Sequence, residues 1–160
     1  MHRDPRLLAK PPVCRLGCLT LLRDPAGQVL LVDPDYLDGL ILPGGAAAPN
    51  EPPHHAAARH LHAQTGLQRR LTTLLAVDFT PADRHLERLN LVFDGGTVTD
   101  HDASRLTVPP QCRSNLHGAR FADPAHLPAL MSPAQNARVQ QALANLSRAL
   151  PLLIHGQRAA

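Results

Sequence analysis

Four histidines, His54, His55, His60 and His62, fall within nine residues of a chain that carries ten histidines in 160 residues. Imidazole titrates near neutral pH and binds the softer divalent metals, so this cluster could act as a replacement metal site or as an acid and base pair. Immediately upstream, Leu42-Pro43-Gly44-Gly45 begins like a loop that handles phosphate. A second pairing, Cys112 with His117, supplies the minimum for an activated nucleophile, although a lone cysteine in a loop is more often inert. His54, His55 and His62 read most simply as solvent-facing residues on a polar helix.

The surrounding elements must position these groups. Residues 13–23 and 28–33 are apolar runs joined by Asp24-Pro25-Ala26-Gly27, a hairpin signal, and a shorter run, Leu40 to Leu42, leads into the glycine loop. From Asn50 to Gly66 the pattern turns helical. Pro52 and Pro53 are tolerated in a first turn, alanines follow, and Gly66 supplies a left-handed stop, which predicts a helix over 52–65. Strand-like runs recur at 71–79 and 88–96, and residues 97–115 read as a strand, a loop and another short strand. Ser132 before Pro133 marks a second helix, along which Val139, Leu143, Leu146 and Leu150 keep helical spacing up to Pro151. This order predicts one α/β (α+β) domain, a mixed β-sheet sandwiched between helices, with a core over about 13–150 and extensions at 1–12 and 151–160.

The spacing of Gly45, Glu51, Arg59, Leu61, Gly66 and Leu67 resembles the Nudix box, which runs Gly, five residues, Glu, seven residues, Arg, Glu, an aliphatic, any residue, Glu, Glu, any residue, Gly, an aliphatic. Leu42 to Gly45 looks like the usual lead-in, and residues 119–130 resemble the strand and short helix found later in many members. The resemblance implies the Nudix fold over most of the chain. It also implies a magnesium- or manganese-dependent hydrolase of diphosphates.

The pattern departs from the box at three acids, where this chain has His60, Ala63 and Gln64. Those positions lie one turn apart on one helix face, so carboxylates there would converge on a point. Magnesium requires oxygen ligands, usually with a carboxylate among them. Alanine offers no ligand, glutamine an uncharged oxygen, and histidine a nitrogen better suited to softer metals. A further family acid would align near Asn115 and His117. No magnesium or manganese cofactor is therefore expected, and a zinc-type site through His60 and His117 is the weaker possibility. Glu51 and Arg59 survive as a pair that ties loop to helix, a structural role. The Gly44 carbonyl, a metal ligand in family members, depends on loop shape alone.

By the same resemblance, the substrate should lie near Asp83 and Glu87, with Glu87 a candidate relocated base beside His60 and His117. Tyr36, Gly44, Gly45, Gln64, Asp83 and Asn115 are candidates for substrate contact. Phe93 is the more natural core residue and Tyr36 the more natural stacking surface.

Composition narrows the partner classes. The net charge is +3, but the basic residues are dispersed, Lys10 is the only lysine and few aromatics could stack on bases, which argues against nucleic acid. No window resembles a membrane span, the first twelve residues lack a signal-peptide core, and three cysteines do not make a disulfide framework, so a cytoplasmic protein is expected. The partner expected is a small phosphorylated or otherwise activated molecule, with a homodimer left open. Three functions follow: an altered Nudix enzyme using His60 as acid or base, a non-catalytic ligand-binding or interaction domain, or an orthodox metal-dependent diphosphate hydrolase.

Overall fold

A computed structural model describes residues 13–110 and 115–160. Its strands are β1 (Arg15–Arg23), β2 (Val29–Pro34), β3 (Gly44–Ala46), β4 (Thr73–Thr80), β5 (Arg88–Thr97), β6 (Leu116–Ala122), β7 (Leu150–Pro151), β8 (Leu153–Ile154) and β9 (Gln157–Arg158). The helices are α1 (Pro53–Thr65), α2 (Asp100–Arg105), α3 (Leu127–Leu130) and α4 (Pro133–Ala144).

β1 and β5 lie at the centre and run parallel, while the other pairings are antiparallel, in the order β6-β2-β1-β5-β4-β7 with β3 also on β1. Because successive strand residues point to opposite faces, β1 feeds two cores. Leu21 packs with Val29, Leu31, Met131, Val139 and Ala142 on the α4 side. Cys18 packs with Ala56, Ala57, Phe93 and Leu152 on the α1 side. This is the expected mixed sheet between helices. Phe93 is fully buried, as its core reading required.

Helix α1 begins after Pro52, places Pro53 at its first position and ends at Gly66, whose φ of 76° is left-handed. The hairpin forms with register Arg23↔Val29; beyond it β1 pairs with β3, and β2 pairs with β6. No helix among the described residues is long and apolar enough to cross a membrane.

Three local expectations are corrected. Thr99 and Asp102 form a reciprocal capping box, so a loop expected in 97–115 contains α2. The second helix stops at Ala144, well before Pro151. There Asn145 turns its side chain to donate to the Leu75 carbonyl at 2.8 Å, and Leu150 moves into β7 beside Leu74 with its side chain exposed. His54, expected in solvent, is buried at 6% exposure and packed against His55, the rings tilted by 46° with centroids 4.1 Å apart. Cys112 lies outside the described residues.

Candidate functional site

The glycine loop meets α1 through backbone-directed hydrogen bonds. Gly44 sits at a φ of 152°, and a Cβ there would strike the Cys18 carbonyl and Leu19. Gln64, on the last turn of α1, accepts from the Gly44 N–H through Oε1 at 2.8 Å and donates from Nε2 to the Gly44 carbonyl at 3.0 Å. One turn earlier, His60 Nε2 lies 2.9 Å from the Ala46 carbonyl. A carbonyl can only accept, so Nε2 carries the proton. The imidazole lies flush on Gly45, where any side chain would collide with it.

Glu51 and Arg59 complete the joint. Arg59 Nε and Nη2 reach Glu51 Oε1 and Oε2 at 2.7 and 2.8 Å, and the Ala48 N–H also donates to Oε2 at 2.8 Å. These hydrogen bonds, the Arg59 contact first, lower the Glu51 carboxyl from 4.5 to about 2. Cys18, opposite Gly45 in the ladder, is pushed up to about 11 by burial and then by the Glu51 charge, so its thiol is protonated at neutral pH.

These residues do not fit magnesium. The Gly44 carbonyl is met by an amide donor, the Gln64 oxygen is spent on a backbone N–H, His60 presents a proton to Ala46, and both Glu51 oxygens are engaged. Ala63 has no side-chain ligand atom. Among the described residues no group of three or more His, Cys, Asp or Glu could hold a metal ion.

On the opposite side of the loop a cleft of about 160 Å³, partly open to solvent, runs between the β1/β5 face and α4. Gly44, Gly45, Asn90, Gln135 and Arg138 line its inner part, with Ile41, Leu42 and Val139 as apolar wall. Gly17 makes room for Asn90, whose Oδ1 occupies the space a Cβ would need. At the mouth, Arg15, Tyr36, Leu37 and Arg88 continue into a second depression that adds Arg84, His85 and Leu86. Arg138 is paired with Asp78 at 2.7 Å, whereas Arg15, Arg84 and Arg88 form no salt bridge among the described residues.

Of the candidates named from sequence, Tyr36, Gly44 and Gly45 line this cleft. Gln64 and His60 stand behind its glycine wall. Asp83 is exposed and accepts from the His85 N–H at 3.0 Å within its own turn, a bond that lowers its carboxyl. Glu87 offers its backbone carbonyl to the Arg15 N–H at 2.8 Å, and its side chain does not line the cleft. Asn115 likewise uses its carbonyl, on Asp35, and His117 is exposed on the edge strand β6. Sequence reasoning missed Arg15, Arg84, Arg88, Asn90 and Gln135. The available signal was that Arg15 and Arg88 each open a strand at the sheet centre.

The family model for the NUDIX domain matches residues 15–143. The chain belongs to the Nudix family. A Rattus norvegicus diphosphoinositol polyphosphate phosphohydrolase 2 is 38% identical over 71 residues, which cover 44% of this chain and 39% of that relative. A NUDIX hydrolase from Nitrosomonas europaea superposes with a TM-score of 0.69 at 16% identity, covering 88% of this chain and 94% of its own. The NUDIX domain of Shewanella oneidensis NrtR, in complex with ADP ribose, superposes with a TM-score of 0.67 at 16% identity, covering 91% of this chain and 99% of its own. At such identities the superpositions establish the Nudix fold.

Proposed function

We propose that this Nudix domain binds a small phosphorylated molecule in the cleft between the β1/β5 face and α4, and that nothing done to that molecule runs through magnesium held on α1. The Gln64 bracket on Gly44 carries this reading, because it turns a carbonyl and a helix position that would have to face a cation into partners of each other. The domain keeps the shape of a phosphate-handling fold and presents arginines where the ligand enters. A cytoplasmic location is consistent with the unpaired Cys14 and Cys18 thiols.

A second reading keeps turnover, with His60 as acid or base. It is favoured by the imidazole lying directly behind Gly45, which lines the cleft. His60→Ala separates the two readings: a fall in turnover of at least ~10²-fold at unchanged stability is expected of an acid or base, and loss of stability without specific loss of chemistry is expected of a loop clamp.

The names of two relatives supply a ligand panel, ADP ribose and an inositol polyphosphate carrying a diphosphate. Calorimetry and product chromatography with each, with and without millimolar magnesium, test the proposal. Binding that is indifferent to magnesium, with ligand recovered intact or processed equally in both conditions, supports it. Hydrolysis that requires magnesium overturns it.

A further inference from the structure

The cleft mouth gathers three arginines that the described residues balance only in part, through the nearby charge of Asp83. Arg15 and Arg88 are direct partners in the parallel β1/β5 ladder, so two guanidinium side chains emerge side by side on one sheet face. Like charges directly opposite in a sheet are destabilising. Four other arginines, Arg23, Arg59, Arg69 and Arg138, each meet a carboxylate at 3.1 Å or less. Among the described residues neither Arg15 nor Arg88 does, nor does Arg84, which joins them at the mouth. Of the nearby acids, Asp83 caps its own turn and feels the Arg88 charge without forming a salt bridge to it, and the Glu87 side chain is outside the cleft. Arg88 Nε is moreover buried with no hydrogen-bond partner, and leaving a buried donor of a charged group unmade is costly.

Resting on the binding reading above, we propose that Arg15, Arg84 and Arg88 form a metal-independent anion subsite for a group carrying at least two negative charges, such as a diphosphate. Guanidinium forks present paired N–H donors that match phosphate oxygens. Two adjacent forks on neighbouring strands can each engage one end of a diphosphate and supply the charge neutralisation that a cation would otherwise give. Tyr36, exposed beside them, offers a face to the part of the ligand that follows, and Gln135 and the Asn90 side-chain oxygen, whose amide nitrogen donates to Thr80, line the same cleft.

Inorganic pyrophosphate in buffer containing a chelator is the probe, titrated calorimetrically into the full chain. One-to-one binding is expected, weakening as salt is raised. Arg15→Gln and Arg88→Gln should each lower affinity at least about tenfold, the scale of one lost charged hydrogen bond. Arg105→Gln, on the exposed end of α2, should leave it unchanged. Without ligand, Arg88→Gln should melt no lower than the parent, because it relieves the like-charge pair; this separates loss of a binding group from loss of fold. Unaltered pyrophosphate affinity in both variants overturns the subsite. If Tyr36→Ala or Asn90→Ala then abolishes binding of the larger ligands, the cleft remains the site and only the arginine assignment fails. No pyrophosphate binding by the parent, or a random-sequence oligonucleotide displacing it stoichiometrically, overturns the small-anion assignment.

Discussion

Gln64 and Gly44 hold each other by two hydrogen bonds, 2.8 Å from the glycine N–H to the amide oxygen and 3.0 Å from the amide nitrogen to the glycine carbonyl. The complementarity is specific to an uncharged amide. A carboxylate could accept from the N–H, but its second oxygen would face the carbonyl oxygen.

Gln64→Leu should therefore leave both Gly44 backbone groups unmatched in a largely enclosed loop. A loss of about 1–3 kcal/mol is expected from the unmade bonds, measured as a lower urea midpoint at unchanged slope. A midpoint equal to the parent's would show that the bracket does not hold the loop.

Magnesium at millimolar concentration should raise the melting temperature by no more than about a degree, because weak binding at a concentration below Kd stabilises by well under 1 kcal/mol. The triple variant His60→Glu, Ala63→Glu, Gln64→Glu should be less stable than the parent without metal and regain stability with magnesium. Three carboxylates one turn apart repel each other until a cation gathers them. Tight magnesium binding by the parent in calorimetry contradicts this account.

The Glu51 carboxyl lies below its unfolded value of 4.5, at about 2. The folded state thus binds its proton less readily, and the stabilisation is present above pH 4.5 and fades as pH falls toward 2. Arg59→Ala should lower stability at pH 7, by less than loss of a fully buried pair since the Arg59 side chain is half-exposed. It should also flatten the decline of melting temperature between pH 4.5 and 2. An unchanged pH profile would assign the acid sensitivity to other carboxylates.

His54 contributes on the less acidic side. Burial, and next the neighbouring His55, lower its value from 6.5, so the unfolded chain takes up the proton first and stability declines as pH drops below 6.5. His54→Leu should remove that part of the slope, while His62→Ala, on the exposed face of α1, should leave it as it is. Melting curves from pH 7.5 to 5 distinguish the two.

Thiol labelling probes the loop directly. Cys14 is exposed and should react with iodoacetamide in the native state. Cys18, buried against the glycine loop with its thiol held at about 11, should react after unfolding alone. Native modification of Cys18, identified by peptide mass, would mean that β3 opens readily from β1.

The helix and the glycine loop were legible in the sequence because their signals are local. Prolines at the first turn, a glycine at the stop, and fixed intervals among Gly45, Glu51, Arg59 and Gly66 each express a backbone or side-chain requirement within one element and its lead-in. The apolar runs at 13–23 and 88–96 likewise announced β1 and β5. The end of α4 was less legible, since Leu146 and Leu150 continue the helical spacing and the stop is made by Asn145 reaching the Leu75 carbonyl on β4, seventy residues away. The site divides in the same way. Which acids are replaced can be read from the residues in order, but whether His60 and Gln64 face a ligand or the backbone depends on how closely β3 approaches α1. The arginines look dispersed along the chain because residues 15 and 88 are neighbours only through parallel strand pairing. That pairing joins chain segments distant in sequence, and only the folded sheet decides that their charges meet.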